Sequence, residues 1–152
     1  MKVLFATDGG KQCDAAVESI RRLALGEGDE IKVISVVDMA LPMAIDIYGG
    51  FLPDTSAIEK TARENAAKIV SETTEKIKTY AESNKVNVST DVLFGSADSR
   101  IVETAEEWKA DLIIVGSHGY NRWERLLLGS VSDSVVHHAP CSVLVVRTNT
   151  TE

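Results

Sequence analysis

Five short apolar segments, separated by segments of helical periodicity, restrict this chain to few folds. They are Lys2–Thr7, Ile31–Val37, Val86–Phe94, Leu112–Val115 and Ser142–Val146. Val and Ile dominate them, and the fourth and fifth are apolar on both faces, as buried parallel strands require. The third alternates between apolar and polar residues, which is consistent with an edge strand. The chain is therefore expected to contain five strands.

The first two helices are predicted from apolar residues at helical spacing. One face of the first helix consists of Ala16, Ile20, Leu23 and Ala24. Gly26 can end this helix, because glycine adopts the backbone conformation that follows many helix ends. A capping-box pattern at Ser56 and Glu59 begins a long second helix that extends to Ser83. Its predicted apolar stripe is Ile58, Ala62, Ala66, Ile69, Thr73, Ile77 and Tyr80.

Two further helices complete an alternating order of strands and helices. They are predicted over Asp98–Trp108 and from the Ser130–Ser132 region to a point before Pro140. The order βαβαβαβαβ predicts an α/β fold, a Rossmann-like, doubly wound, five-stranded parallel sheet with helices on both faces. The 152 residues suit one domain, 1–152. The irregular segment Asp38–Thr55 should follow the carboxyl end of the second strand, where open α/β sheets bind ligands; its role stays open.

Composition limits the partners and the compartment. No apolar run approaches the roughly 20 residues that span a bilayer, so no membrane partner is expected. The net charge is −7 and no basic patch is visible, which argues against nucleic-acid binding. The segment 1–10 is consistent with a first strand rather than a signal peptide, so a cytoplasmic protein is expected.

A glycine-rich segment follows the fourth strand. Gly116 and Gly119 come directly after that strand, and nine residues separate Gly119 from Gly129 and Ser130, where the last helix begins. Glycines let a backbone approach phosphate oxygens closely, and the free N–H groups of a helix start favour an anion. The hydroxyls of Ser130 and Ser132 could add donors. The alternative is a tight turn followed by an N-capped helix with no ligand.

Asp8 ends the first strand and precedes two glycines. Gly9 and Gly10 are interpreted as a turn into the first helix. Two interpretations of the Asp8 carboxylate are open. It could cap the following helix, or it could orient a Mg²⁺ ion through water beside a triphosphate.

These residues resemble the universal stress protein family, whose nucleotide motif is G-x2-G-x9-G-[S/T]. All four motif positions match: Gly116, Gly119, Gly129 and Ser130. The resemblance covers nearly the whole chain, and further matches are Thr7-Asp8, Val36-Val37-Asp38, Gly95, Ala110-Asp111 and the segment 140–146. Family members with this motif bind ATP, so the resemblance places the chain in the nucleotide-binding branch.

The resemblance also implies a ligand and its contacts. ATP, or ADP or AMP, would bind with Mg²⁺; Val36 would contact adenine, and Asp8 would lie near the ribose and the phosphate–metal region. The implied contact residues are Thr7, Asp8, Val36, Val115, Gly116, Gly119, Gly129, Ser130, Val131 and Ser132. A homodimer would form through the last strand, Val143–Val146. The first turn departs from the family, because Gly9-Gly10-Lys11-Gln12 stands where members often have Ser or Pro.

The leading functional hypothesis is a regulator that ATP switches between conformations. The chain has no lysine placed like that of a Walker motif and no paired base, so no catalytic residue is assigned. One alternative is a slow ATPase or a protein that phosphorylates itself, suggested by Asp8 and Ser130. The other is a dimeric interaction module without a nucleotide, in which the glycines serve only the fold.

Overall fold

A computed structural model of the chain describes residues 1–38, 56–117 and 128–148. The strands are β1 (Lys2–Ala6), β2 (Glu30–Val37), β3 (Asn87–Phe94), β4 (Leu112–Gly116) and β5 (Ser142–Val146). The helices are α1 (Gln12–Arg21), α2 (Ser56–Asn84), α3 (Ala97–Trp108) and α4 (Ser130–His138). The predicted order of strands and helices is confirmed, with most ends within one or two residues of the expected positions.

The five strands form one parallel sheet in the order β3-β2-β1-β4-β5. This confirms the Rossmann-like, doubly wound α/β fold, and β3 lies at an edge as predicted. The chain first builds outward from β1 through β2 to β3, and α3 then returns it to the other side of β1. The direction of strand addition therefore reverses between β1 and β4.

Two apolar clusters cover the two faces of the sheet. On one face, α1 and α2 pack against Val3, Phe5 and other strand residues. On the other, α3 and α4 pack against Leu4, Ile34 and Ile113. Alternate residues of β1 thus enter opposite clusters, because side chains of a strand alternate between its faces.

The first helix ends earlier than predicted. It stops at Arg21, and Leu23 and Ala24 lie beyond it instead of continuing its face to Gly26. The carbonyl of Leu23 accepts a hydrogen bond from the Tyr80 hydroxyl at 2.6 Å. Leu25 is buried in the cluster beneath α2. Packing against α2 therefore replaces the last expected turn of α1.

The apolar stripe of α2 is partly different from the prediction. Ile58 is 70% exposed, whereas Val70 and Ala81, which the stripe omitted, are buried. The helix has 29 residues and is about 43 Å long at about 1.5 Å per residue. The eight-residue strands β2 and β3 span only about 26 Å at about 3.3 Å per residue. The first turns of α2 therefore extend past the strands that the structure describes.

Candidate functional site

The carboxyl ends of β1 and β4 meet at the point where strand order reverses. The two strands are neighbours in parallel register, with Phe5 opposite Ile114. Asp8 follows β1, and Gly116 ends β4, so both lie at the same edge of the sheet. In open α/β sheets this is the crevice in which ligands bind. The described residues around it define the candidate site.

Hydrogen bonds join the end of β4 to the start of α4. The N–H of Gly129 donates to the carbonyl of Ser117 at 2.8 Å. The Ser132 hydroxyl lies 3.2 Å from that carbonyl and 3.0 Å from the carbonyl of Gly129. The N–H of Ser117 donates to Val146 at 2.9 Å, which extends the pairing of β4 and β5 by one residue. Two halves of the glycine motif are thus held together although eleven residues separate Ser117 from Gly129.

The start of α4 is arranged as an anion-binding helix end would be. Gly129 is the N-cap, with φ −63° and ψ 156°, and no side chain caps the helix. The N–H groups of the first helical turn, which begins at Ser130, have no partner within the helix. Ser130 and Val131 are exposed, whereas Ser132 is buried. The expected donor role of the Ser132 hydroxyl is replaced by its bonds to backbone carbonyls, so of these two serines only Ser130 is exposed.

The turn after β1 is closed by its own side chains. The Asp8 carboxylate accepts a hydrogen bond from the N–H of Gly10 at 2.8 Å, and the Thr7 hydroxyl accepts one from Gly9 at 3.1 Å. Asp8 is exposed and does not cap α1, whose N-cap is Lys11. Gly9 has a φ of +75°, which glycine adopts without strain. The interpretation of Gly9 and Gly10 as a turn into the first helix is confirmed.

Gly116 and Val115 contribute backbone rather than side chains to this edge. A Cβ atom at Gly116 would lie 3.1 Å from Cβ of Gln12 in α1, so glycine allows α1 to approach β4 closely. Val115 is 3% exposed and belongs to the cluster under α3 and α4. Val36, near the end of β2, is half-buried against the same cluster. Of the two valines, only Val36 presents accessible side-chain surface.

Comparison with known proteins identifies the family. Residues 1–147 match the universal stress protein family over almost the whole chain. The chain belongs to the universal stress protein family. A universal stress protein of Methanocaldococcus jannaschii is 34% identical over 146 residues, which are 96% of this chain and 81% of that protein.

Solved universal stress proteins share the fold of this family member. UspA of Lactobacillus plantarum has a TM-score of 0.71 at 22% identity, covering 97% of each chain. A universal stress protein in complex with cAMP has a TM-score of 0.61 at 22% identity, over 96% of this chain and 95% of that one. An Arabidopsis thaliana member with AMP bound has a TM-score of 0.61 at 15% identity, over 99% and 93% of the two chains.

Part of the predicted universal stress protein motif lies outside the described residues. Gly119 belongs to the segment 118–127, and the irregular segment lies outside them from residue 39 to residue 55. The described ranges contain no group of three or more His, Cys, Asp or Glu residues arranged to hold a metal ion. None of the helices in those ranges has the length and apolarity needed to cross a membrane.

A polar link between α3 and α4 was not predicted from the sequence. The Asp98 carboxylate accepts a hydrogen bond from the Ser134 hydroxyl at 2.7 Å and another from the Ser96 hydroxyl. These two hydroxyls, with the N–H of Ser99, hold the pKa of Asp98 below its usual value. The link fixes α4 against α3 and so supports the helix that begins at the candidate site. The position of Asp98 in the first turn of α3 can be recognised in the sequence. Its pairing with Ser134, 36 residues away, cannot.

A groove of about 400 Å³ lies elsewhere, between α2 and the edge strand β3. Ala67, Thr74 and Asp91 are among the residues that line it. None of the predicted site residues that the structure describes belongs to its lining. It is therefore separate from the candidate site at the β1–β4 reversal.

Proposed function

We propose that this universal stress protein binds an adenine nucleotide, ATP in particular, at the carboxyl edge of the sheet between β1 and β4. Residues 1–152 would form one nucleotide-binding domain. The contacts would come from Thr7, Asp8, Val36, Val115, Gly116, Gly119, Gly129, Ser130, Val131 and Ser132.

The position of Gly116 beside Gly129 carries this proposal. The motif glycines are far apart in sequence, yet the bond between Gly129 and Ser117 brings the end of β4 to the start of α4. A phosphate group at this place would meet the half-buried backbone of Gly116 and the N–H groups at Ser130–Ser132, which have no partner within α4. These donors act locally, so the net charge of −7 does not oppose binding of one anionic ligand.

Two further observations support an adenine nucleotide. Val36 offers an apolar surface at the end of β2, two strands away from β4 in the sheet. Neighbouring strands lie about 4.8 Å apart, so about 10 Å separates an apolar end from a phosphate-binding end. Proteins of the same fold have been solved with cAMP and with AMP.

We assign Asp8 a role beside the phosphates in addition to its role in the turn. One carboxylate oxygen holds the N–H of Gly10, and the side chain is exposed at the edge of the sheet. A carboxylate fixed in this way can orient a hydrated Mg²⁺ ion that accompanies ATP. The nucleotide would act as a switch, by favouring the conformation that binds it more tightly.

The nucleotide assignment is tested by binding. We expect ATP to bind the emptied protein, more tightly with Mg²⁺ than without, and Gly129→Leu to abolish binding in isothermal titration calorimetry. A side chain at residue 129 does not strain the backbone, because φ is −63° there, so the fold should survive. Gly26→Leu is the matched control. Nothing lies within 4 Å of the Cβ position at Gly26, and this residue precedes β2, at the edge of the sheet opposite to the candidate site. Equal ATP affinity of Gly129→Leu and Gly26→Leu would contradict the site.

We also propose a homodimer through β5, Val143–Val146. β5 is an edge strand, and Val143, Leu144 and Val145 are half-buried in the single chain. An edge strand with apolar side chains is suited to pairing with a second copy. Sedimentation analysis should give twice the mass of the chain, and Val143→Lys should lower it to one chain. A wild-type protein that sediments as a monomer at high concentration would contradict this interface.

A further inference from the structure

We propose that Gln12 contacts the nucleotide phosphates, its carboxamide donating a hydrogen bond to a phosphate oxygen. This assignment rests on the proposed nucleotide site and adds to it a residue that the glycine motif does not contain. It makes Gln12 a residue that distinguishes phosphorylated nucleotides from the nucleoside.

Gln12 lies at the reversal point of the sheet. It is the first residue of α1, and its side chain lies near Gly10, in the turn after β1, and near Gly116, at the end of β4. A Cβ atom at Gly10 would lie 3.4 Å from Oε1 of Gln12, and one at Gly116 would lie 3.8 Å from the same atom. The carboxamide therefore lies close to both glycines. Because Gly10 and Gly116 have no side chains, the Gln12 carboxamide has room to lie between them.

The carboxamide has no hydrogen-bond partner in the described part of the chain. A glutamine side chain carries two N–H donors and one carbonyl acceptor. Gln12 is half-buried, so its carboxamide is accessible to a ligand atom in the crevice. Its position in the candidate crevice makes a ligand atom the natural partner.

The surroundings of Gln12 favour a phosphate over other ligand groups. Gly116 marks the phosphate end of the proposed site, whereas Val36 lies two strands away at the adenine end. The Asp8 carboxylate lies on the other side of Gly10, with Oδ1 only 2.9 Å from the position of a Cβ there. In the proposed site this negative charge would be offset by the Mg²⁺ ion that Asp8 orients, so it does not exclude a phosphate beside Gln12. The N-terminal turn of α1 adds a favourable dipole.

Two substitutions at Gln12 and one control test this assignment. Gln12→Glu keeps the shape but replaces the donor by a negative charge, and Gln12→Met keeps the length without polarity. A glutamate in the first turn of a helix is favourable, so α1 should remain intact. Asn87→Asp makes the same chemical change at an exposed residue of β3 on the opposite edge of the sheet. Thermal unfolding would verify that each variant is folded.

The measurement is the affinity for ATP and for adenosine by calorimetry. We expect Gln12→Glu to weaken ATP binding about tenfold or more and adenosine binding less than about threefold. Gln12→Met should weaken ATP binding less than Gln12→Glu but measurably, which keeps the test valid if the glutamate variant does not fold. Asn87→Asp should bind both ligands as the wild type does.

Three results would overturn the assignment. Unchanged ATP affinity in both Gln12 variants would show that the side chain has no ligand contact. Equal losses for ATP and adenosine would show that it does not act on phosphate. With either of these two results, the proposed function would still hold if the wild-type protein binds ATP. A wild-type protein that binds no adenine nucleotide would overturn both the Gln12 assignment and the proposed function.

Discussion

A methyl group at Gly9 should destabilise this protein for two separable reasons. The backbone there has a φ of +75°, a conformation that costs an L-residue roughly 1–2 kcal/mol. The new Cβ would also lie 2.9 Å from Cγ1 of Ile69 and 3.3 Å from both its Cδ1 and its Cγ2. Ile69 belongs to α2, and its side chain packs against this turn. Overpacking of this kind costs about 1–3 kcal/mol. Gly9→Ala should therefore lower the free energy of unfolding by about 2–5 kcal/mol.

Two other glycines separate the backbone cost from the packing cost. Gly28 has a φ of +91° and open space around its Cβ position, so Gly28→Ala should carry only the backbone cost of about 1–2 kcal/mol. Gly26 has neither a positive φ nor a close neighbour, and Gly26→Ala should be neutral or stabilise by up to about 1 kcal/mol. In the double variant Gly9→Ala with Ile69→Ala, the close contact is absent. Its loss of stability should therefore be smaller than the sum of the losses in the two single variants.

Urea unfolding followed by circular dichroism measures the stability of these four variants and of the single variant Ile69→Ala. The expected order of stability is Gly26→Ala, then Gly28→Ala, then Gly9→Ala. If Gly9→Ala and Gly28→Ala cost the same within about 0.5 kcal/mol, and the double variant shows no coupling, the Ile69 contact has no energetic role. The reasoning from the close approach of α2 to this turn would then be refuted.

Three further predictions concern the packing of α2, the link between α3 and α4, and the start of α4. Ile77→Ala should cost about 2–5 kcal/mol in chemical unfolding and Ile58→Ala less than about 0.5 kcal/mol; equal costs would contradict the overhang of α2. The pKa of Asp98 is lowered in the fold, so its stabilisation is present above the unfolded pKa of about 4 and is lost as pH falls through the folded pKa. The destabilisation caused by Asp98→Asn should accordingly shrink below about pH 4, and a pH-independent difference would refute this linkage. Ser132→Ala should cost about 1 kcal/mol in unfolding without greatly changing ATP affinity; a large loss of affinity with no loss of stability would make its hydroxyl a ligand contact.

The sequence predicted the number, type and order of the strands and helices because their signals are local. The runs of Val and Ile and the helical spacing of apolar residues each depend on a few neighbouring positions. The βαβ connections then require parallel strands, since a crossover helix joins strands in the same direction. The glycine motif was readable for the same reason, because its spacing is fixed along the chain.

Helix ends and exposed positions could not be predicted in the same way. Leu23 and Ala24 continue a helical pattern, but contacts with α2 end α1 at Arg21. Ile58 fits the apolar stripe of α2, but the sheet ends before that turn of the helix. In each case a neighbour distant in sequence decides the outcome, and periodicity within one segment carries no information about it.

The sequence by itself thus determined the fold class, the family resemblance and the residues of the glycine motif. Only the tertiary structure decided that β4 lies beside β1, and with it that Gln12 of α1 lies against Gly116 at the end of β4. It also decided that the Ser132 hydroxyl serves the backbone and that Asp98 holds α4. The physical reason is that strand order and side-chain partners depend on the packing of both faces of the sheet at once. That packing is a property of the whole chain and is absent from any single segment of it.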